Sequence, residues 1–255
     1  MGAVMGFDLS GKVILISGGG RGLGRGTAEL LAASGAVVGI ADIDPKTCNE
    51  TAEGIRGSGG QAHAFAGDVS DRGVFLGVAA ALAGVCGRID GVVNSAMWIK
   101  YEPVGDVSEE TMERMLGVGF RAPVWGTQAL LRHMDPARGG AVVNFSSPAA
   151  IQGYANTSIY AAIKGAMVTL THSLAVELGP AKVRVNAVVP GAVPTPGARA
   201  IVDDAGYELR RRKTPLGRLG REDDIANAIA FLFSEEADFI TGAVLNVDGG
   251  CSLTA

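Results

Sequence analysis

Tyr160 and Lys164 stand four residues apart, and Ser147 lies thirteen residues before the tyrosine. On a helix that spacing puts the phenol and the ammonium on one face. A phenol ionises near pH ~10, and a neighbouring ammonium or the positive ring of an oxidised nicotinamide favours the ionised form; a drop of about three units corresponds to roughly 4 kcal/mol. A phenol poised in this way takes a proton from an alcohol near neutrality, or returns one to a ketone. Ser147 can hydrogen-bond the same oxygen, and Lys164 can also hold ribose hydroxyls. Far upstream, Ser17-Gly18-Gly19-Gly20-Arg21-Gly22-Leu23-Gly24 suits a dinucleotide pyrophosphate. Its glycines let main-chain N–H groups and a helix N-terminus approach a phosphate with no Cβ in the way. The Lys-Ser or Lys-Thr ending of a triphosphate loop is missing, which argues against Mg-ATP hydrolysis. Together the two features predict a nicotinamide-dependent oxidoreductase.

Such residues need a sheet to hold them. Short apolar runs recur at 13–16, 37–41, 62–66, 89–93, 141–145, 183–188 and 243–247. Most are apolar on both faces, as parallel strands covered by helices are. Helix-supporting segments lie between them at 23–34, 47–56, 72–85, 109–134, 159–178 and 222–233. The alternation predicts an α/β fold: a single doubly wound domain over residues 1–255, with a mostly parallel seven-stranded sheet and helices on both faces. Residues 191–216 break the rhythm with Pro194, Pro196 and Pro215 and a helix-compatible stretch at 198–204. They are placed to form a lid over the C-terminal edge of the sheet.

Asp42 closes the second strand, where a carboxylate can accept both adenosine ribose hydroxyls and repel a 2′-phosphate; this predicts NAD over NADP, with Arg21 as the counterweight. Asp68 suits either an adenine contact or the cap of the next helix. Asn94, ending the fourth strand, is placed to line the nucleotide crevice or to close a turn.

Composition narrows the remaining classes. A net charge of −4 from 22 basic and 26 acidic residues leaves no tract that could follow a nucleic acid, and Arg210 to Lys213 reads as a solvated face. Cys48, Cys86 and Cys251 lack metal-ligand or disulfide spacing, and His63, His133 and His172 are scattered. These features predict a cytoplasmic protein without a metal, secretion signal or membrane span.

From Leu9 through Gly250 the sequence resembles the short-chain dehydrogenase/reductase family. The matching pieces are the glycine turn, Asp68-Val69, Asn94-Ser95-Ala96-Met97, Asn144-Phe145-Ser146-Ser147, Tyr160 with Lys164, Pro190-Gly191 and Asp248-Gly249-Gly250. The resemblance implies Tyr160 as acid or base, Ser147 orienting the reacting oxygen, and Lys164 assisting while it binds ribose. It places Val69, Pro190, Gly191, Val193 and Thr195 against the cofactor. It also implies a homotetramer or dimer built on the two long helices before and including the tyrosine.

Three positions depart from the family pattern. Ser17 replaces a threonine, Met97 replaces a glycine, and Gly119 stands where an asparagine normally completes the catalytic tetrad. An asparagine restored at 119 is expected to retain or raise turnover where the pocket has room. Candidate substrate contacts are Met97, Trp98, Pro148, Ala149, Ile151, Tyr154, Pro190 and Tyr207, a mostly apolar set. They suggest a small hydrophobic secondary alcohol or its ketone, cyclic or aromatic. The rival reading is a fold member that binds dinucleotide but turns over little, on the strength of Gly119.

Overall fold

The computed structural model describes residues 6–254; residues 1–5 and 255, which the predicted domain also spans, lie outside the described residues. Seven strands form one sheet in the order β3-β2-β1-β4-β5-β6-β7. They are β1 (Val13–Ser17), β2 (Val37–Asp42), β3 (Gln61–Ala66), β4 (Gly91–Asn94), β5 (Gly140–Phe145), β6 (Val183–Pro190) and β7 (Val244–Val247). Every pairing is parallel, so the expected "mostly parallel" sheet is wholly so. All five residues of β1 and all four of β4 are buried, which explains why their sequences show no polar alternation.

Among the described residues there are nine α-helices: α1 (Gly22–Ala33), α2 (Pro45–Gly57), α3 (Arg72–Cys86), α4 (Glu109–Leu116), α5 (Ala122–His133), α6 (Ser158–Leu178), α7 (Pro196–Arg199), α8 (Asp204–Lys213) and α9 (Glu222–Phe233). One core cluster packs Leu31, Ile40, Ile225 and Ile229 on one face of the sheet, and another packs Phe75, Leu82, Leu130 and Val185 on the other. α6 is long and apolar enough by composition to cross a membrane, but here it packs along β6 and carries Tyr160 and Lys164.

One expectation is met with a local difference and one needs correction. The long helix predicted at 109–134 is continuous, α4 running into α5 through a π-helical stretch at Gly117–Arg121, in which the Ala122 N–H reaches the Gly117 carbonyl. Pro123 follows directly, and its missing N–H removes the ordinary donor for the Gly119 carbonyl. The helix expected at 198–204 is instead the end of α7, a turn, and the start of α8. Thr195 caps α7 at the Ala198 N–H, and Asp203 caps α8 at the Gly206 N–H. Each cap fixes a helix start, so the chain bends between them.

The strand order reverses between β1 and β4, which pair with Ser17 opposite Asn94. A crevice opens at the C-terminal ends of the strands at such a reversal. The chain segments that follow β1, β2, β4, β5 and β6 all leave the sheet at that edge.

Candidate active site

The glycine turn leaves β1 with main chain packed on main chain. A Cβ at Gly18, whose φ is +71°, would meet Ala96 Cα at 2.7 Å, and one at Gly24 would meet the Gly18 carbonyl oxygen at 2.1 Å. Ser17 fixes the same junction: its Oγ accepts from Ala96 N–H at 3.4 Å, and Ser95 Oγ donates to its carbonyl at 2.5 Å. α1 starts at Gly22 with no side-chain cap, whereas Asp44, Asp71 and Ser108 cap α2, α3 and α4. Its first N–H groups therefore have no intrahelical partner and face an open turn. The turn has the shape and the donors to cradle a pyrophosphate.

Asp42 is buried, and its carboxylate accepts from Gly20 N–H at 2.9 Å and Asp44 N–H at 3.2 Å. It sits beside the turn where an adenosine ribose would lie. Arg21 is exposed at the N-cap of α1. Thr195, from the segment after β6, reaches the turn from the other side: a Cβ at Gly22 would lie 3.2 Å from Thr195 Cβ. Val69 and Val193 are buried. Pro190 ends β6 and Gly191 packs on the backbone of Asp248.

Two candidates have local partners of their own. Asp68 is exposed and accepts from Ser70 N–H at 2.9 Å, while the cap of α3 is Asp71. The Asn94 amide donates to Asn144 Oδ1 at 2.9 Å and to the Pro123 carbonyl at 3.3 Å. Asn144 continues to Thr171 at 3.0 Å, so this buried chain ties β4 and β5 to α5 and α6. Asn94 Oδ1 is buried without a partner.

At the chemical end, Ser147 leaves β5 and Tyr160 and Lys164 rise from the first two turns of α6. Ser147 accepts from Ala149 N–H at 3.2 Å, which starts a short turn at Pro148–Ala150. Burial pushes the Tyr160 phenol above its ordinary value, while hydrogen bonding to Ser147, the Arg210 charge and hydrogen bonding to Tyr101 pull it back. The direction is opposite to that expected from the sequence, because desolvation outweighs the neighbours. Lys164 Nζ lies 5.7 Å from the Tyr160 ring centre and donates to the Phe145 carbonyl at 2.8 Å; burial lowers its pKa to about 8.

Tyr101 escaped the sequence reading. Its ring meets that of Tyr160 edge to face, 5.5 Å between centres. It lies in an aperiodic loop after β4, where an aromatic near a strand end was the only signal. The loop is held by Glu102 N–H on the Asn156 carbonyl at 3.0 Å and by the Lys100–Glu102 ion pair at 2.5 Å.

The apolar candidates separate. Met97 occupies the place a side chain at 119 would need: a Cβ on Gly119 would meet Met97 Sδ at 2.7 Å and Ile163 Cγ2 at 2.8 Å. The room required for an asparagine is therefore taken, and the two departures from the family pattern are one packing solution. Trp98 stacks under Arg114 at 4.7 Å. Pro148, Ala149 and Tyr207 are buried, whereas Ile151 and Tyr154 are exposed. Tyr154 Oη donates to Gln152 at 2.5 Å, and Gln152 holds the C-terminal turn through the Ser252 carbonyl at 2.8 Å.

The chain is similar to known proteins over almost its whole length. A family model described as Enoyl-(Acyl carrier protein) reductase matches residues 18–252. The chain is 35% identical over 241 residues to a cyclopentanol dehydrogenase of Comamonas sp., covering 94% of this chain and 96% of that one. It is 34% identical over 247 residues to a cis-4-hydroxycyclohexanecarboxylate dehydrogenase of Sinomonas cyclohexanicum, covering 96% and 98%. Among solved structures, 3-ketoacyl-(acyl-carrier-protein) reductase from Brucella melitensis complexed with NADH superposes with a TM-score of 0.89 at 36% identity, covering 96% and 100%.

Proposed function

The chain belongs to the short-chain dehydrogenase/reductase family, and on that premise we propose that it is an NAD-dependent dehydrogenase of small hydrophobic secondary alcohols, reversibly forming their ketones. The observation that carries the reading is the convergence of Ser147, Tyr160 and Lys164 at the sheet edge that also presents the uncapped glycine turn.

The residues of the turn, with Asp42 and Thr195, would hold the dinucleotide, and Lys164 its nicotinamide ribose. When bound, the nicotinamide supplies or takes the hydride at the alcohol carbon. Tyr160 moves the proton at the oxygen on that carbon, and Ser147 hydrogen-bonds the same oxygen and keeps it in place. Burial alone would hold the phenol protonated, which suits ketone reduction; oxidation needs the phenolate, which Ser147, Tyr101 and Arg210 favour. A cationic ring bound beside it would add to that bias.

Asp42 supports NAD over NADP, because its buried carboxylate would repel a 2′-phosphate. The dehydrogenases of cyclopentanol and cis-4-hydroxycyclohexanecarboxylate support a cyclic alcohol here. The family's usual assembly, through the α4–α5 unit and α6, and a cytoplasmic setting complete the proposal. The second reading, a dinucleotide-binding protein of low turnover, rests on Met97 filling the volume beside Gly119.

Steady-state kinetics with NAD+ and NADP+ over a panel of cyclic secondary alcohols test both readings. The expected result is turnover with NAD+ preferred, lowered by about 10²–10⁴-fold in Tyr160→Phe. NADH binding with no turnover of any alcohol or ketone would establish the second reading, and a clear NADP+ preference would overturn the role given to Asp42.

A further inference from the structure

Gln152 stands in the segment that leads from Ser147 to Tyr160, five residues after the serine and eight before the phenol. Its side-chain amide nitrogen donates to three main-chain carbonyls of one turn, Ser252 at 2.8 Å, Thr254 at 3.2 Å and Cys251 at 3.4 Å. A primary amide has two N–H donors, so the three acceptors share them. The oxygen end is engaged as well, by the Tyr154 hydroxyl. Local bonds shape the rest of the segment: the Thr157 hydroxyl donates to the Tyr154 carbonyl at 2.9 Å, and the Asn156 carbonyl accepts Glu102 N–H at 3.0 Å, one residue from the Tyr101 ring that meets Tyr160.

The turn that Gln152 grips is also held by the segment after β6. Asp248 folds it, accepting from Gly250 N–H and Ser252 N–H at 2.9 Å each, and Ser252 is buried. The Thr254 hydroxyl donates to the carbonyl of Lys213, the last residue of α8, at 3.2 Å, and Leu216 N–H donates to the Gly249 carbonyl at 3.2 Å. The packing there is close: a Cβ on Gly249, whose φ is +64°, would meet Thr214 Cγ2 at 2.6 Å. Residues 248–254 therefore join two parts of the molecule that are far apart in sequence, the loop entering α6 and the end of α8.

We propose that Gln152 is a positioning residue for the reaction at Tyr160: through the turn at 251–254 it ties the loop between Ser147 and Tyr160 to the end of α8. Gln152 acts on the chemistry only through that loop. Ser147 and Tyr160 have to meet one oxygen atom, and a displacement of about 1 Å between groups with such a task costs about 10²-fold in rate. The inference deepens the dehydrogenase reading and rests on it for the identity of the reacting centre.

Gln152→Glu keeps the shape of the side chain but sets a carboxylate against three carbonyl oxygens, which opens the tie, whereas Gln152→Lys returns donors to the same place. Hydrogen–deuterium exchange read by mass spectrometry tests the tie itself. In Gln152→Glu, amides of 151–157 and of 213–217 should both exchange about fivefold faster or more, while those of the glycine turn keep their rate. Kinetics on cyclopentanol test its use: kcat/KM should fall about tenfold, with a higher KM for the alcohol and KM for NAD+ unchanged. Gln152→Lys should restore most of both losses. Faster exchange at 151–157 with 213–217 unmoved would overturn the tie. Loosening of both segments with kcat/KM kept, or a fall in kcat and melting temperature with both KM values unmoved, would overturn the positioning role and leave a structural one. A wild-type protein that oxidises no alcohol would sink the dehydrogenase reading alone: the exchange measurement needs no turnover, and it still decides whether Gln152 joins the two segments.

Discussion

The nucleotide side and the substrate side of this crevice are both shaped by glycine, but the glycines are of different kinds. At Gly18 and Gly24 the obstacle to a side chain is backbone, Ala96 Cα at 2.7 Å and the Gly18 carbonyl oxygen at 2.1 Å. At Gly119 the obstacles are side chains, Met97 Sδ at 2.7 Å and Ile163 Cγ2 at 2.8 Å. Backbone cannot yield without moving β1 against β4, whereas a thioether can be exchanged for another group. The first region is therefore fixed by the fold, and the second is one of several ways to fill the same space.

The sharpest way to break the comparison is at the reacting phenol. Tyr160→Phe should lower kcat by about 10²–10⁴-fold, the usual range for a general acid or base, with NADH affinity unchanged. Activity kept within a few fold would remove the proton carrier from the reading. The next largest effect lies on the fixed side. Gly24→Ala should destabilise the protein by about 3 kcal/mol or more, since it drives a Cβ into a carbonyl that has no other place to go. A melting curve and NADH titration of this variant superimposable on the wild type would show that the turn is softer than its contacts.

These two sides also differ in how far the sequence disclosed them. The places of the glycine turn after β1, of Asp42 at the end of β2 and of Ser147 after β5 were legible from the strand pattern, and the shared helix of Tyr160 and Lys164 from their spacing. The seven strands were legible because β1, β2 and β4 to β6 are buried almost throughout and therefore apolar on both faces. The π turn at 117–121 was not, because nothing in its residue types separates it from an ordinary α-helix; only Pro123 hinted at a change of winding. Tyr101 stayed hidden for another reason. Its place depends on where an aperiodic segment folds back, and that is settled by tertiary contacts such as Glu102 N–H on the Asn156 carbonyl.

The exchangeable side makes a prediction with two halves. Gly119→Asn alone should lower kcat/KM about tenfold, because overpacking of this kind costs about 1–3 kcal/mol and here it pushes on Met97 and on Ile163 of the α6 face below Tyr160. Gly119→Asn combined with Met97→Gly should recover the loss, since the volume removed adjoins the volume added. A double-mutant cycle measures the coupling, expected at about 1–2 kcal/mol in the rescuing direction. Additive effects would mean that the two departures from the family pattern are unrelated, and that Gly119 reflects a different local need.

The smallest effect concerns the pH at which the phenol works. Tyr101 meets Tyr160 edge to face and, with Ser147 and Arg210, opposes the upward push of burial. Removing the hydroxyl in Tyr101→Phe takes away one of the influences that favour phenolate, so the pKa of Tyr160 should rise further. In the oxidation direction the reactive form is the phenolate, and kcat/KM climbs as pH passes through that pKa. The climb should move to higher pH in Tyr101→Phe, with the plateau at high pH little changed and the edge-to-face ring contact retained. A merely structural role for Tyr101 would lower the whole profile without moving it along the pH axis. A shift to lower pH would reverse the sign assigned to Tyr101 and leave Ser147 and Arg210 as the groups that oppose burial at the phenol.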